Sequence, residues 1–168
     1  MAYTRQNKTG TSTQQDIVMT PVDTAKRIIE HFNPSGKVLE PCRGEGAFYD
    51  NFPDTCTKDW CEIREGKDFF DYDKKVDWII TNPPYSTFDA FLLKCFEVAD
   101  NVVLFVPIAQ KVFKSKKIDQ EIMKYGGIKE IVHYGTGGQH GFPFGFVVGA
   151  VHYQRDYNGP ITYIRRYK

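Results

Sequence analysis

Val76-Asp77-Trp78-Ile79-Ile80-Thr81-Asn82-Pro83-Pro84-Tyr85 joins an apolar run to two consecutive prolines. β-branched and aromatic residues that stop abruptly at Pro83 predict a buried strand running into a loop that can continue neither as strand nor as helix. The loop is stiff, because Asn82 precedes a proline and is steered away from the helical region. Pro83 and Pro84 bring no N–H, so the Asn82 side-chain oxygen and the Pro83 carbonyl form a fixed pair of acceptors beside the ring of Tyr85. A planar group bearing an NH2 fits such a cluster: the acceptors take its two hydrogens while its plane stacks on the aromatic face. A plain proline-rich turn at a strand end fits the same four letters, and the surrounding chain has to decide between them.

Toward the C-terminus, Phe88, Phe91, Leu92, Cys95, Phe96 and Ala99 recur at helical spacing and predict a helix over 86–99 capped by Ser86. The run from Asn101 to Ile108 is apolar without alternation, as in a strand covered on both faces. Residues 111–125 predict a helix whose Lys111, Lys114, Lys116, Lys117 and Lys124 either touch phosphates or form a solvated face. Strands are expected over 128–134 and 146–153, closing the sheet as a hairpin. The glycine-rich loop between them, 135–145, is placed to overhang the ligand edge, with Phe142 or Phe144 as a second wall facing Tyr85; a lid and a plain flexible hairpin fit the same glycines. His140 in that loop is given no chemical part. Beyond 156, Tyr157, Tyr163 and Tyr167 interleave with Arg165, Arg166 and Lys168, a mixture that suits single-stranded nucleic acid or a charged edge strand.

Toward the N-terminus, Thr20-Pro21-Val22-Asp23 reads as a capping box with proline at the first helical position, followed by Ala25, Ile28, Ile29 and Phe32 on one face of a helix over 21–32. Lys37 to Pro41 predicts a short strand, leading into Glu40-Pro41-Cys42-Arg43-Gly44-Glu45-Gly46-Ala47-Phe48 and a helix ending near Phe52. Between strand and helix, Gly44 and Gly46 let a ligand approach the backbone. Glu40 beside that turn repels pyrophosphate and attracts an ammonium, which favours an amino acid moiety over a dinucleotide. A second strand over 55–63 ends at Glu62, roughly 20 residues past the turn, where an acid is placed to accept ribose hydroxyls or to sit on the surface. Alternating helices and buried strands mean a parallel α/β sheet, whose ligands gather at the carboxyl ends of the strands.

Asn82-Pro83-Pro84-Tyr85 after a hydrophobic strand, with an acid-Pro pair ahead of Gly44-x-Gly46, resembles the S-adenosylmethionine-dependent methyltransferases that act on the N6 amine of adenine, and relatives that act on a glutamine amide. The resemblance covers about residues 18 to 153. It implies a Rossmann-like class I methyltransferase fold: a mostly parallel seven-stranded sheet with a C-terminal antiparallel hairpin and helices on both faces. It also implies S-adenosyl-L-methionine as cofactor, with Glu40, Pro41, Gly44, Gly46 and Glu62 around it and Thr20 against its methionine end. Asp68, followed by Phe69, then takes the amine of the cofactor's adenine. Asn82, Pro83, Pro84 and Tyr85 carry the chemistry, and Tyr85, Phe142 and Phe144 hold the substrate base. Arg43 departs from the pattern, which has small residues there, and its role is open.

The 168 residues make one domain, and 22 Lys and Arg against 21 Asp and Glu leave no wholesale basic signature. The expected division is a flexible arm over 1–16, a catalytic domain over 17–156 and a basic aromatic tail over 157–168. No apolar stretch approaches a membrane span and no secretory h-region opens the chain, so a soluble cytoplasmic protein without membrane contact is expected. Cys42, Cys56, Cys61 and Cys95 form no metal-ligand spacing, so no metal is expected. The expected partner is a nucleic acid, DNA before RNA. No segment is long enough for a separate recognition domain, which implies relaxed sequence specificity or a separate specificity-giving protein. Glutamine methylation of a protein stays open, as does a non-catalytic protein that binds the cofactor or nucleic acid.

Overall fold

The computed structural model describes residues 18–167, and the arm expected over 1–16 lies outside them. Seven strands form one sheet: β1 (Lys37–Glu40), β2 (Thr57–Trp60), β3 (Val76–Thr81), β4 (Ala99–Pro107), β5 (Gly126–Thr136), β6 (Val147–Arg155) and β7 (Thr162–Arg165), in the order β2-β1-β3-β4-β6-β5-β7. Strands β2, β1, β3 and β4 run parallel, β6 is antiparallel to both β4 and β5, and β7 pairs parallel to β5. The antiparallel pairing of β5 with β6 stands where the hairpin was expected.

Side-chain alternation explains why the sheet is covered on both faces. Leu39, Ile79, Val102 and Leu104 face a layer formed by α2 (Phe88–Val98) and α4 (Lys116–Tyr125), while their neighbours Val38, Ile80, Val103 and Phe105 face α1 (Val22–Phe32). Both layers are therefore anchored on the same short stretches of β1, β3 and β4, the strands that deliver the candidate site.

Four local expectations need correction. Pro21, not Thr20, stands at the N-cap of α1, with no side-chain cap bond, because the Thr20 hydroxyl is used elsewhere. The helix expected after the glycine turn shrinks to one 3-10 turn, Tyr49–Asn51: Gly44 and Gly46 adopt φ of 54° and 90°, and Phe48 and Phe52 are pulled into the α1 layer. The first helical residue after the Pro-Pro loop is Phe88, preceded by Thr87 and not capped by Ser86. The helix expected over 111–125 breaks into α3 (Ile108–Lys111) and α4, because Val112 is buried and the Ser115 hydroxyl accepts the Ile118 N–H to start a new helix. Of the two readings of the tail, residues 162–165 take the edge strand.

Helix α4 passes into β5 without a linker, and Gly126 makes the joint possible. A Cβ there would lie 2.2 Å from the Gln154 carbonyl oxygen and 2.5 Å from the Asp156 nitrogen, both backbone atoms that cannot swing away. Gly126→Ala is expected to cost about 2–3 kcal/mol in urea unfolding, as overpacking of a fixed backbone does. An unchanged midpoint would show that the joint is looser than drawn.

Candidate active site

Because β1, β3, β4, β5 and β7 share one direction, their carboxyl ends meet at one sheet edge, bringing Glu40, Asn82, α3, Thr136 and Arg166 into one neighbourhood. Asn82 is the best defined of them. It is 1% exposed, and its Nδ2 donates to the Val18 carbonyl at 3.3 Å and to the Thr20 hydroxyl at 3.1 Å. A carbonyl can only accept, so the group facing Val18 must be the amide nitrogen, which fixes the orientation of the side chain. Asn82 Oδ1 is then left buried with no hydrogen-bond partner. The Tyr85 hydroxyl and Thr87 Oγ1 are also buried without partners. Unpaired buried polar atoms are rare in native structures, and three within six residues mark a place built to receive a polar ligand.

Tyr85 is held by its backbone, whose carbonyl accepts from Lys111 Nζ at 2.7 Å. Burial raises its phenol well above the usual range, so the group stays protonated and offers a face and a donor, not a base. Its ring lies 6.2 Å from that of Phe144 at 58°. Phe144 is stacked at 5.2 Å on Phe142, which is itself buried against Phe105. Phe144 thus forms the wall facing Tyr85, and Phe142 braces it from behind. A flat ring between two parallel ones needs about 7 Å, twice a van der Waals separation, so the wall must both move by roughly 1 Å and turn toward the Tyr85 plane to admit one. His140 in the same loop is buried between the Thr24 hydroxyl and the Tyr134 carbonyl, each at 2.8 Å, and pins the loop to α1.

Three carboxylates line the other half of the edge. Glu40 is enclosed, and its Oε1 accepts from the Cys42 N–H at 2.9 Å and from the Thr81 hydroxyl. Burial outweighs these bonds and lifts its pKa to about 7. Glu62 accepts the Gly44 N–H at 2.9 Å, tying the end of the β2 segment to the glycine turn, and also binds Arg64. Asp68 accepts the Phe70 N–H at 2.8 Å. Phe69 has no exposed surface and packs on Phe91 at 4.9 Å; its part here is to seat the loop that carries Asp68. Pro41 and Gly44 are buried and Gly46 closes the turn, its amide bonded to the Arg43 carbonyl. Acceptors for amine, hydroxyl and ammonium groups, without a phosphate cradle, suit a cationic nucleoside carrying an amino acid. Arg43 turns outward, with its guanidinium 3.9 Å from the centre of the Trp60 ring and ion-paired to Glu65. It braces the glycine turn against β2.

Lys111 was missed as a site residue, because in the sequence it reads only as one more lysine of a helix. Val18, a backbone acceptor, carries no signal in sequence at all. The four cysteines are buried and form no disulfide, and among the described residues no group of three or more His, Cys, Asp or Glu could hold a metal. Nor is any helix among them long and apolar enough to cross a membrane.

Comparison with solved structures identifies the fold. A Listeria monocytogenes protein described as a class I S-adenosylmethionine-dependent methyltransferase superposes with a TM-score of 0.67 at 14% identity, over 95% of this chain and 68% of its own. The methyltransferase subunit of a type I restriction-modification system from Streptococcus thermophilus gives 0.64 at 14%, over 88% of this chain and 46% of its own. The 23S rRNA methyltransferase ErmE gives 0.57 at 18%, over 82% and 70%. The chain thus spans about two thirds of the first of these and less than half of the restriction-modification subunit. No protein-family profile matches the sequence, and no curated protein sequence does.

Proposed function

We propose that this chain is an S-adenosyl-L-methionine-dependent methyltransferase acting on the N6 amine of adenine in DNA, with relaxed sequence specificity. The observation that carries the reading is the buried, orientation-fixed and unpaired Oδ1 of Asn82 beside the Tyr85 ring. Glu40, Glu62 and Asp68, with the glycine turn, are the residues that would hold the donor, and Thr20 lies beside Asn82 where the methionine end would reach. When bound, the donor supplies an electrophilic methyl on a positively charged sulfur.

The adenine amine is a poor nucleophile because its lone pair is delocalised into the ring. Asn82 Oδ1 and the Pro83 carbonyl accept its two hydrogens and draw the nitrogen toward a pyramidal geometry, which localises the lone pair toward the methyl. As the N–C bond forms the C–S bond breaks, and the proton leaves afterwards from an already cationic nitrogen to water. No base is required of the protein, in keeping with a protonated Tyr85. Alignment and electrostatics carry the rate. Tyr85 stacks on the base, with Phe144 closing over it.

The likeness to a restriction-modification methyltransferase subunit and to a 23S rRNA methyltransferase supports a nucleic-acid substrate. Offering donor labelled in its methyl group to unrelated DNA duplexes, single-stranded DNA, structured RNA and a mixed protein pool is expected to label DNA irrespective of sequence. Label in RNA alone or in glutamine alone would move the substrate, and label in none would leave a binding protein.

A further inference from the structure

The break between α3 and α4 leaves Phe113 68% exposed, a side chain that neither core layer claims. Its place is fixed by the sheet. Pro107 at the end of β4 pairs with Val148 near the start of β6, so α3 leaves the sheet where Phe146 and Val147 enter it. Ile108 packs closely over Gly149, which holds α3 down at that point. Phe146 is 50% exposed and lies 5.4 Å from Phe144, the wall of the slot facing Tyr85. Phe146 therefore stands beside the slot wall, and Phe113 follows two residues after Lys111, whose Nζ holds the Tyr85 carbonyl, so both exposed rings belong to the slot's side of the sheet edge.

Cations surround them. Lys111 ties the Tyr85 carbonyl, and Lys114 pairs with Asp89 at 3.0 Å. Lys116 and Lys117 are exposed and have no ion-pair partner among the described residues. The acids of α4 are Asp119, one turn on, and Glu121, which pairs with Lys124. The segment from Lys111 to Lys117 itself holds four lysines and no acid. A solvated helix face explains lysines; it does not explain an aromatic ring held in water among them.

Resting on the nucleic-acid reading above, we propose that this rim is a strand-binding surface: Phe113 stacks on the base next to the target, and Lys116 and Lys117 take the flanking phosphates of a single or locally opened strand. A base drawn into the Tyr85 slot leaves its neighbour with one bare face, and an exposed ring at the mouth covers it without reading its identity. The lysines add the sequence-independent charge term.

The test measures binding of the full chain to a fluorescein-labelled single-stranded DNA of mixed sequence by anisotropy across a salt series, together with methyl incorporation into the same strand. Phe113→Ala is expected to bind about 5- to 150-fold more weakly, the range of one base-aromatic stack, while Phe113→Trp binds at least as well as the parent. The paired change Lys116→Ala with Lys117→Ala is expected to flatten the slope of log K against log salt by about 1.4, two single-strand phosphate contacts. Melting temperatures should not move, since all three side chains are exposed. A parent that methylates the strand, with Phe113→Ala binding within twofold of it or Phe113→Trp as weak as alanine, overturns the rim alone. A parent that neither binds nor methylates any nucleic acid overturns the functional reading, and the rim with it.

Discussion

Asn82→Ala is expected to lower turnover by about 100- to 1000-fold while leaving the affinity for S-adenosylmethionine within a few-fold, the size seen when one preorganised hydrogen-bonding partner of a reacting group is lost. The difficulty is that Asn82 does two things. Its Nδ2 ties the start of α1 through Val18 and Thr20, and its Oδ1 waits for the amine. Alanine removes both, and leaving the Val18 carbonyl unpaired costs about 1–3 kcal/mol of stability on its own. Asn82→Asp separates the two roles, because a carboxylate still accepts but can no longer donate to Val18. If acceptance is what matters, the aspartate variant melts as low as the alanine one and yet keeps a measurable part of the turnover. Equal loss of turnover in both variants would assign Asn82 to holding α1, and the mechanism would fail.

The second large effect concerns Glu40. Burial raises its pKa from 4.5 to about 7 against the lowering effect of its bonds to Thr81 and the Cys42 N–H. The folded protein therefore holds this proton between pH 4.5 and 7, where the unfolded chain releases it. Glu40 thus contributes stability that is fully present below about pH 4.5 and is lost as pH rises through about 7, on the order of 3 kcal/mol in all. A cationic ligand at the glycine turn reverses the preference, since its charge acts on the carboxylate across a dry interior. Binding of S-adenosylmethionine is then expected to weaken by up to about tenfold per pH unit below 7. Glu40→Gln keeps an oxygen for Thr81 and Cys42 but carries no charge. Titration calorimetry from pH 5.5 to 8.5 should find it binding weakly and without that slope, and its unfolding free energy should vary less with pH between 4.5 and 7. If the glutamine variant keeps the parent's pH profile, Glu40 is not the group that senses the ligand's charge.

The reach of the sequence ended at identifiable places. Strands β3 and β4 were legible because an unalternating apolar run has few homes other than a strand covered on both faces, and α1 because its apolar residues fall on one face. The helix expected after Gly46 failed because the pull of Phe48 and Phe52 toward the α1 layer is a tertiary effect that outweighs local helical preference. The break at Val112–Ser115 was hidden for a related reason: Ser115 is an ordinary helix residue until the burial of Val112 turns the chain and makes it a cap. The resemblance sets Phe69 beside Asp68 at the cofactor, and the packing of Phe91 claims its ring for the core.

The sequence by itself determined a mostly parallel sheet covered on both faces, a glycine turn at the end of a strand, and an Asn-Pro-Pro-Tyr loop at another strand end, because periodicity and proline stereochemistry act between near neighbours. Only the tertiary structure decided that Asn82 is turned by Val18 and Thr20 so that its oxygen is left unpaired, that Phe144 and not Phe142 faces Tyr85, and that Phe113 stands in solvent. Each of these depends on partners more than 25 residues away in the chain or on burial within the whole fold, and no local pattern encodes such long-range choices.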